Sequence, residues 1–171
     1  MSACEIELLV EDEAWLRALP DLEDIAQHAA DMAMRAGHPD GGAYEISLMA
    51  CDDSRIAGLN AMFRGIEKPT NVLSWPSLDL APETPGDAPR PPPASPDSGP
   101  ILLGDVAIAL QTCAREAKAA SKPLKNHVTH LILHGVLHLL GYDHETSEDA
   151  ERMEGIEREA LAKAGIPDPY E

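Results

Sequence analysis

The sequence predicts a single α/β domain of the α+β kind, in which a small mixed four-stranded sheet packs against helices. The chain has 171 residues, and a chain of this length buries roughly 70% of its unfolded surface within one domain. Segments with the two-residue period of strands are interspersed with segments of helical period, and no internal repeat is visible. We therefore expect residues 1–171 to form one domain.

The first half of the chain alternates between strand and helix patterns. Residues 4–11 place apolar side chains at every second position and predict a strand with one polar face. A helical pattern follows over residues 12–35, and residues 43–50 alternate again as a second strand. Asp52 and Asp53 are typical helix caps and predict a short helix after this strand. Its apolar positions are Ile56, Leu59 and Met62.

The second half of the chain adds two strands and three helices. Residues 71–75 and 101–108 are the third and fourth predicted strands. Residues 109–120 and 126–140 have helical patterns. Thr146 begins a last helix, because an acidic residue three positions later completes a pattern that resembles a capping box.

Residues 76–100 separate the last two predicted strands and contain nine of the 15 prolines. The segment has few apolar residues, so it cannot bury enough surface to offset the entropy lost on ordering. We expect a mobile insertion inside one domain rather than a linker between two, because strand patterns lie on both sides of it. Alternatively, the segment serves as a ligand for a domain that binds polyproline.

The chain is strongly acidic, with 13 basic and 30 acidic side chains and a net charge of −17. Such a charge disfavours a polyanionic partner for the chain as a whole. The excess acid lies at the two ends, however, whereas residues 51–142 carry 8 basic and 9 acidic side chains. One basic group could act locally, since charges are screened over about 8 Å at physiological salt, or it forms a solvated helix face. Its members are Arg115, Lys118, Lys122 and Lys125.

The sequence shows no sign of a targeting or membrane segment. Its first residues lack a basic stretch followed by an apolar one, and nowhere do 18 apolar residues run together. Cys4, Cys51 and Cys113 are widely spaced and odd in number, which favours reduced thiols over a disulfide framework or a cysteine zinc site. These features predict a cytoplasmic protein without membrane contact.

The strongest chemical signal is the segment 134–144, which reads HGVLHLLGYDH. On a helix His134 and His138 lie one turn apart on the same face, so both imidazoles can bind one metal ion. Gly141 permits the left-handed conformation that ends a helix, which lets the chain fold back and bring His144 to the same point. Three nitrogens with a fourth position left for water describe a catalytic zinc site near the C-terminus.

His130 offers a second helical pair, because it lies four residues before His134. The glycine turn favours His138 instead, since His138 lies one turn from the helix end that the third histidine can reach. His130 is then expected behind the site, as a hydrogen-bond partner or a cleft residue. Asp143 either orients a ligand histidine or binds the water on the metal.

The histidine spacing resembles those of two known families. The metzincin proteases share the spacing HxxxHxxGxxH, but their general-base glutamate follows the first histidine, where this chain has Gly135. The segment 134–144 reproduces in full the signature HGxLHLxGYDH of the bacterial rRNA maturation factor family, the YbeY endoribonucleases. This likeness extends over roughly residues 43–145. The other similar blocks are LN at 59–60, FRG at 63–65, KPTNVLS at 68–74 and LGD at 103–105.

The resemblance implies a zinc-dependent, single-strand-specific endoribonuclease that acts in 16S rRNA 3′-end maturation and ribosome quality control. It implies that His134, His138 and His144 bind one zinc ion per chain and that Arg64 is the catalytic arginine of the cleft. Arg64 and Lys68 are our candidates for binding the substrate. The implied partners are single-stranded RNA, the rRNA precursor and the ribosomal small subunit.

Two alternatives remain open at the level of sequence. One is a metzincin-like zinc hydrolase or peptidase, which Gly135 disfavours. The other is a non-catalytic ribosome-assembly factor in which zinc only fixes the C-terminal fold. Elementary chemistry agrees with RNA cleavage, because phosphodiester hydrolysis needs an activated water and a cation for the charge that develops on the phosphoryl oxygens.

Overall fold

The computed structural model describes residues 4–38, 42–97 and 99–171. Four strands and six helices follow one another along these residues. The strands are β1 (Cys4–Val10), β2 (Tyr44–Cys51), β3 (Val72–Pro76) and β4 (Ile101–Ala109). The helices are α1 (Ala14–Ala18), α2 (Leu22–Gly37), α3 (Asp53–Arg64), α4 (Leu110–Ala119), α5 (Leu124–Leu139) and α6 (Ser147–Lys163).

The strands form one mixed sheet in the order β1-β2-β4-β3. β1 and β2 are parallel, with Ile6 opposite Ile46, and β2 is parallel to β4, with Leu48 opposite Val106. β3 is antiparallel to β4 and forms the other edge. The predicted fold class, a single domain with a small four-stranded mixed sheet packed against helices, is confirmed.

The two faces of the sheet are covered unequally. α2 and α5 pack together and against one face, where they bury the main hydrophobic core, including Leu48, Ile108 and Leu133. α3 covers part of the opposite face with a smaller cluster around Ile56 and Ala107. α5 therefore lies against β3 and β4, and its last turn is held in place by the main core.

The prediction of one helical segment over residues 12–35 is wrong, because the helix is interrupted between α1 and α2. Pro20 lies in the break, and proline has no N–H to donate and clashes with the carbonyl of the preceding turn. The break lets Trp15 become fully buried and donate its indole N–H to the Cys51 carbonyl at 2.8 Å. The expectation that Met62 belongs to an apolar face is also wrong, since it is 74% exposed.

Beyond Pro76, which ends β3, the described residues of the proline-rich segment form neither helix nor strand. It nevertheless makes specific contacts with the rest of the domain. The Gly86 N–H donates to the Asp149 carboxylate at 2.9 Å, and the Tyr44 hydroxyl donates to the Pro93 carbonyl at 3.1 Å. Leu80, at 7% exposure, is buried, which the sparse apolar content of the segment did not predict. The mobility of the segment remains a prediction.

Two further sequence features behave as predicted. The Thr146 hydroxyl accepts the Asp149 N–H at 3.1 Å and caps α6. The three cysteine side chains are buried, and burial raises the pKa of each thiol to about 12, which makes them poor nucleophiles. In the part of the chain that the structure describes, no helix has the length and apolar character needed to cross a membrane.

Candidate metal centre and active-site cleft

The end of α5 brings two histidines into direct contact. His134 and His138 lie on consecutive turns, and their Nε2 atoms are 3.0 Å apart. His144 joins them from the turn that follows the helix, with ring centroids 5.3 Å from His134 and 5.0 Å from His138. One nitrogen from each of the three rings lies within 4.8 Å of the others. The structure therefore brings the three predicted ligands together.

Gly141 makes the turn that returns His144 to the helix. Its φ is +98°, in the left-handed region, and a Cβ at this position would lie 2.6 Å from the Leu80 carbonyl oxygen. A side chain is therefore excluded both by conformation and by space. The next residue, Tyr142, donates its hydroxyl to the Gly37 carbonyl at 3.0 Å, which ties the turn to the end of α2.

Hydrogen bonds at the far side of each ring decide which nitrogens carry protons. His134 Nδ1 lies 2.8 Å from the Glu157 carboxylate, and His138 Nδ1 lies 2.9 Å from the Tyr142 carbonyl. Both partners accept hydrogen bonds, so both Nδ1 atoms must carry the proton. In the neutral rings the two Nε2 lone pairs then face each other at 3.0 Å.

Facing lone pairs repel each other unless a cation lies between them. Two nitrogens that bind one tetrahedral zinc ion at about 2.0–2.1 Å are roughly 3.3 Å apart, close to the separation found here. Burial, together with the neighbouring His134 and His144, lowers the pKa of His138 from 6.5 to about 4. His138 is therefore a neutral imidazole at pH 7, the form that binds a metal. The donor set fits a single metal ion held by three imidazoles.

The histidines form one wall of an open cleft of about 670 Å³. Arg64, on the last turn of α3, lines the same cleft and is exposed. Thr70, Asn71 and Ser74 belong to the same lining. Among the described residues, the lining includes Arg64 but not Lys68, which lies in the exposed loop after α3. The predicted catalytic arginine and the three histidines thus share one cleft.

Comparison with known proteins identifies the family of the chain. A family model described as "Endoribonuclease YbeY" matches residues 10–165. The chain belongs to this family. It is 54% identical over 169 residues to "Endoribonuclease YbeY" of Dinoroseobacter shibae, covering 97% of this chain and 90% of the relative. It is also 54% identical over 166 residues to the protein of the same name from Ruegeria pomeroyi, covering 96% and 97%.

A solved structure supports the fold alone. The solution structure of a Thermotoga maritima protein matches with a TM-score of 0.51 and 18% identity, covering 94% of this chain and 91% of that one. The resemblance found in the sequence is confirmed, and the YbeY match extends beyond residues 43–145 in both directions.

Sequence reasoning missed the buried carboxylate behind the YbeY histidine motif. Glu157 of α6 is fully buried, and its two oxygens contact His134 at 2.8 Å, His130 at 2.6 Å and the Tyr170 hydroxyl at 2.5 Å. Burial alone would raise the pKa of Glu157, but the hydrogen bonds from these groups lower it to about 2. A signal existed, since Glu157 lies at four-residue spacing between the apolar Met153 and Leu161.

His130 belongs to this second group rather than to the histidine trio. His130, His134 and Glu157 form another set of donors within 4.8 Å of one another. The hydrogen bond between His130 Nε2 and Glu157 Oε2 agrees with the role expected for His130, that of a hydrogen-bond partner behind the site. The Asp143 carboxylate lines the cleft and accepts the His144 N–H at 2.8 Å, so it shapes the turn that carries the third histidine.

Gly135 packs against the sheet in this YbeY family member, and among the described residues it is not part of the cleft lining. A Cβ there would lie 3.0 Å from a Val106 methyl group and 3.2 Å from the Ser74 hydroxyl, because α5 packs closely on the sheet at this point. The general-base glutamate of a metzincin therefore has neither a counterpart nor space at this position.

The basic group, which extends from α4 through the following turn to the start of α5, is partly neutralised. Arg115 pairs with Asp53 at 2.9 Å, and Lys125 lies 3.6 Å from Asp21. Glu116, within the group, binds His127 at 2.9 Å and the Asn71 amide at 3.0 Å. Two of the four basic side chains are therefore engaged in ion pairs, which makes the group less suited to bind RNA.

Proposed function

We propose that this chain is a zinc-dependent, single-strand-specific endoribonuclease that acts in 16S rRNA 3′-end maturation and ribosome quality control. The observation that carries the proposal is the facing pair of unprotonated Nε2 atoms of His134 and His138, 3.0 Å apart, in a cleft that also contains Arg64. The names of the family model and of the relatives support the choice of RNA as substrate.

His134 and His138 would hold one zinc ion per chain through their Nε2 atoms, together with one ring nitrogen of His144. When bound, zinc supplies a coordinated water whose pKa is lowered to about 7, together with positive charge for phosphoryl oxygens. The chain's part is to orient the imidazoles and to fix which ring nitrogen carries the proton. Glu157 does this for His134 and the Tyr142 carbonyl does it for His138.

Arg64 would bind the phosphate at the point of cleavage. A guanidinium donates two parallel hydrogen bonds to a phosphate and remains charged at any working pH. Its place on the last turn of α3 is favourable, because positive charge stabilises a helix C-terminus. Lys68 would bind a neighbouring phosphate, and the Asn60 amide holds its loop by donating to the Lys68 carbonyl at 2.9 Å.

The proposed partners are single-stranded RNA, the rRNA precursor and the ribosomal small subunit, and the proposed location is the cytoplasm. The chain's net charge of −17 repels RNA elsewhere on its surface. Binding must therefore depend on the few cations at the cleft, and it should weaken as salt rises.

The two alternatives fit the site less well. A metzincin-like peptidase lacks its general base, and the close packing of Gly135 on Val106 leaves no space for one. A purely structural zinc usually has four protein ligands, whereas this trio has an exposed third member, His144, and borders an open cleft. Both observations favour a catalytic site.

The proposal is tested by stripping the purified protein with a chelator and restoring one equivalent of zinc. The restored protein should cleave a single-stranded RNA and leave a duplex of the same sequence intact, whereas the stripped protein should cleave neither. His28→Ala, an exposed histidine on α2, serves as the control and should behave as wild type. Zinc-loaded wild type that cleaves no RNA, or stripped protein with full activity, would contradict the proposal.

A further inference from the structure

Glu157 is a fully buried carboxylate, and it is not among the described residues that line the cleft. Its Oε1 accepts the His134 Nδ1 proton at 2.8 Å, and its Oε2 lies 2.6 Å from His130 and 2.5 Å from the Tyr170 hydroxyl. A carboxylate at this depth is retained only when its lone pairs are well satisfied. Glu157 connects α6 to α5 at the residue that would bind zinc.

Tyr170 is brought to Glu157 by the segment that follows α6. The Tyr170 N–H donates to Asp168 at 2.8 Å, and Asp168 pairs with Arg158 at 3.1 Å. The Arg158 guanidinium also lies 5.4 Å from the centre of the Tyr170 ring, which is a cation–π distance. The edge-to-face contact of Tyr170 with His130, at 5.7 Å between centroids, completes the arrangement. The segment is thus fixed at several points and not merely adjacent to the site.

The two oxygens of the Glu157 carboxylate have different hydrogen-bond partners, and together these partners orient His134. Oε2 is held from two sides by His130 and Tyr170, which fixes the rotation of the carboxylate plane. Oε1 then lies where it accepts the Nδ1 proton of His134. That hydrogen bond leaves His134 Nε2 unprotonated and aimed at His138, 3.0 Å away.

We propose that Glu157 and Tyr170 are positioning residues of the metal centre, so that the C-terminal segment beyond α6 completes the zinc site from behind. The inference rests on the proposed metal dependence, and it adds two residues that touch neither the metal nor the RNA. Carboxylates that hold metal-binding histidines typically account for a 10- to 100-fold change in metal affinity.

The test is zinc affinity measured by chelator competition, with the His134 imidazole protons observed by ¹H–¹⁵N NMR. Glu157→Gln should weaken zinc binding about 10- to 100-fold and shift or lose the His134 Nδ1 proton signal. Tyr170→Phe keeps the ring contacts and removes one hydrogen bond, so it should weaken zinc binding about 2- to 10-fold and shift the same signal. Glu159→Gln, an exposed residue on the same helix, should change neither readout.

The outcomes separate this inference from the proposed function. Should Glu157→Gln fail to fold, Tyr170→Phe still decides, because it leaves the buried charge in place. Wild-type zinc affinity with an unchanged His134 signal in Tyr170→Phe and in any folded Glu157→Gln would overturn the inference and leave the proposed function standing. A wild-type protein that binds no zinc would contradict the proposed function, and the inference with it.

Discussion

The two walls of the cleft are built in opposite ways. On the histidine wall, each of the two helical ligands is held by a buried partner, Glu157 for His134 and a backbone carbonyl for His138. On the second wall, here called the cationic wall, Arg64 extends into solvent from the end of α3, and Lys68 lies near it in the exposed loop that follows, outside the cleft lining. The histidine side chains are held in place before any ligand binds. In the cationic wall the backbone is held by α3, whereas the long side chains are exposed to solvent.

This difference matches what each wall would bind. A metal ion needs ligands within tenths of an ångström of the right place, and the entropy of ordering them is lost during folding. An RNA backbone varies in sequence and conformation, so long cationic side chains that adjust to it are suited to bind it. Substitutions in the histidine wall should therefore change both stability and metal affinity, whereas substitutions in the cationic wall should change the rate of catalysis alone.

Removal of a ligand should have the largest effect. His134→Ala, His138→Ala and His144→Ala should each weaken zinc binding by roughly 100-fold or more, since a tetrahedral site loses one of three protein ligands. His130→Ala should retain one equivalent of zinc, as should the control His28→Ala. Metal content after dialysis measures this. Equal zinc loss in His130→Ala would move the site to the group of His130, His134 and Glu157.

Gly141→Ala should break the turn of the histidine wall. The left-handed φ and the contact with the Leu80 carbonyl predict a loss of about 2–4 kcal/mol in the free energy of unfolding, with weaker zinc binding as His144 is displaced. Gly155→Ala is the matched control, because a Cβ there meets nothing within 4 Å and should stabilise α6 by up to about 1 kcal/mol. Urea denaturation distinguishes the two, and equal stability of Gly141→Ala and wild type would contradict the account.

Acid should destabilise the histidine wall in the zinc-free protein. The unfolded state takes up a proton at His138 near pH 6.5, whereas the folded state does so only near pH 4. Because the unfolded state binds more protons between these values, stability falls as pH decreases from 6.5 to 4, by up to about 3 kcal/mol from this residue. Urea denaturation across this range should show a shallower slope in His138→Gln. Stability that rises on acidification would contradict the assignment.

Replacing residues 82–98 by a short Gly/Ser connection should have the smallest effect. The replacement removes the hydrogen bonds of Gly86 and Pro93 and shortens the loop, so we expect cooperative unfolding with a loss of about 1–2 kcal/mol. Zinc affinity should be unchanged, because Leu80, which packs on Gly141, is retained. Loss of cooperative unfolding would show that the segment is part of the core.

The contrast between the walls also explains what the sequence could predict. The histidine trio depends on local rules, the four-residue period of a helix and a glycine turn, and it is where the sequence placed it. Glu157 was missed because its partners lie 23 and 27 residues away along the chain, on α5. Pro20 was a local signal that a long helical pattern concealed. The prediction of Arg64 rested on the family resemblance alone, since a single exposed arginine belongs to no sequence pattern that would identify its function.

The central claim is that the fixed metal wall and the cationic wall act together on RNA, and single-turnover cleavage by Arg64→Ala tests it most directly. With zinc content and stability equal to wild type, this variant should cleave single-stranded RNA slower by 2–4 kcal/mol in activation free energy, on the order of 30- to 1,000-fold. Arg64→Lys should recover part of the rate, and Arg55→Ala, on the same helix but paired with Glu11, should cleave as wild type. An Arg64→Ala variant that cleaves RNA as fast as wild type would contradict the account.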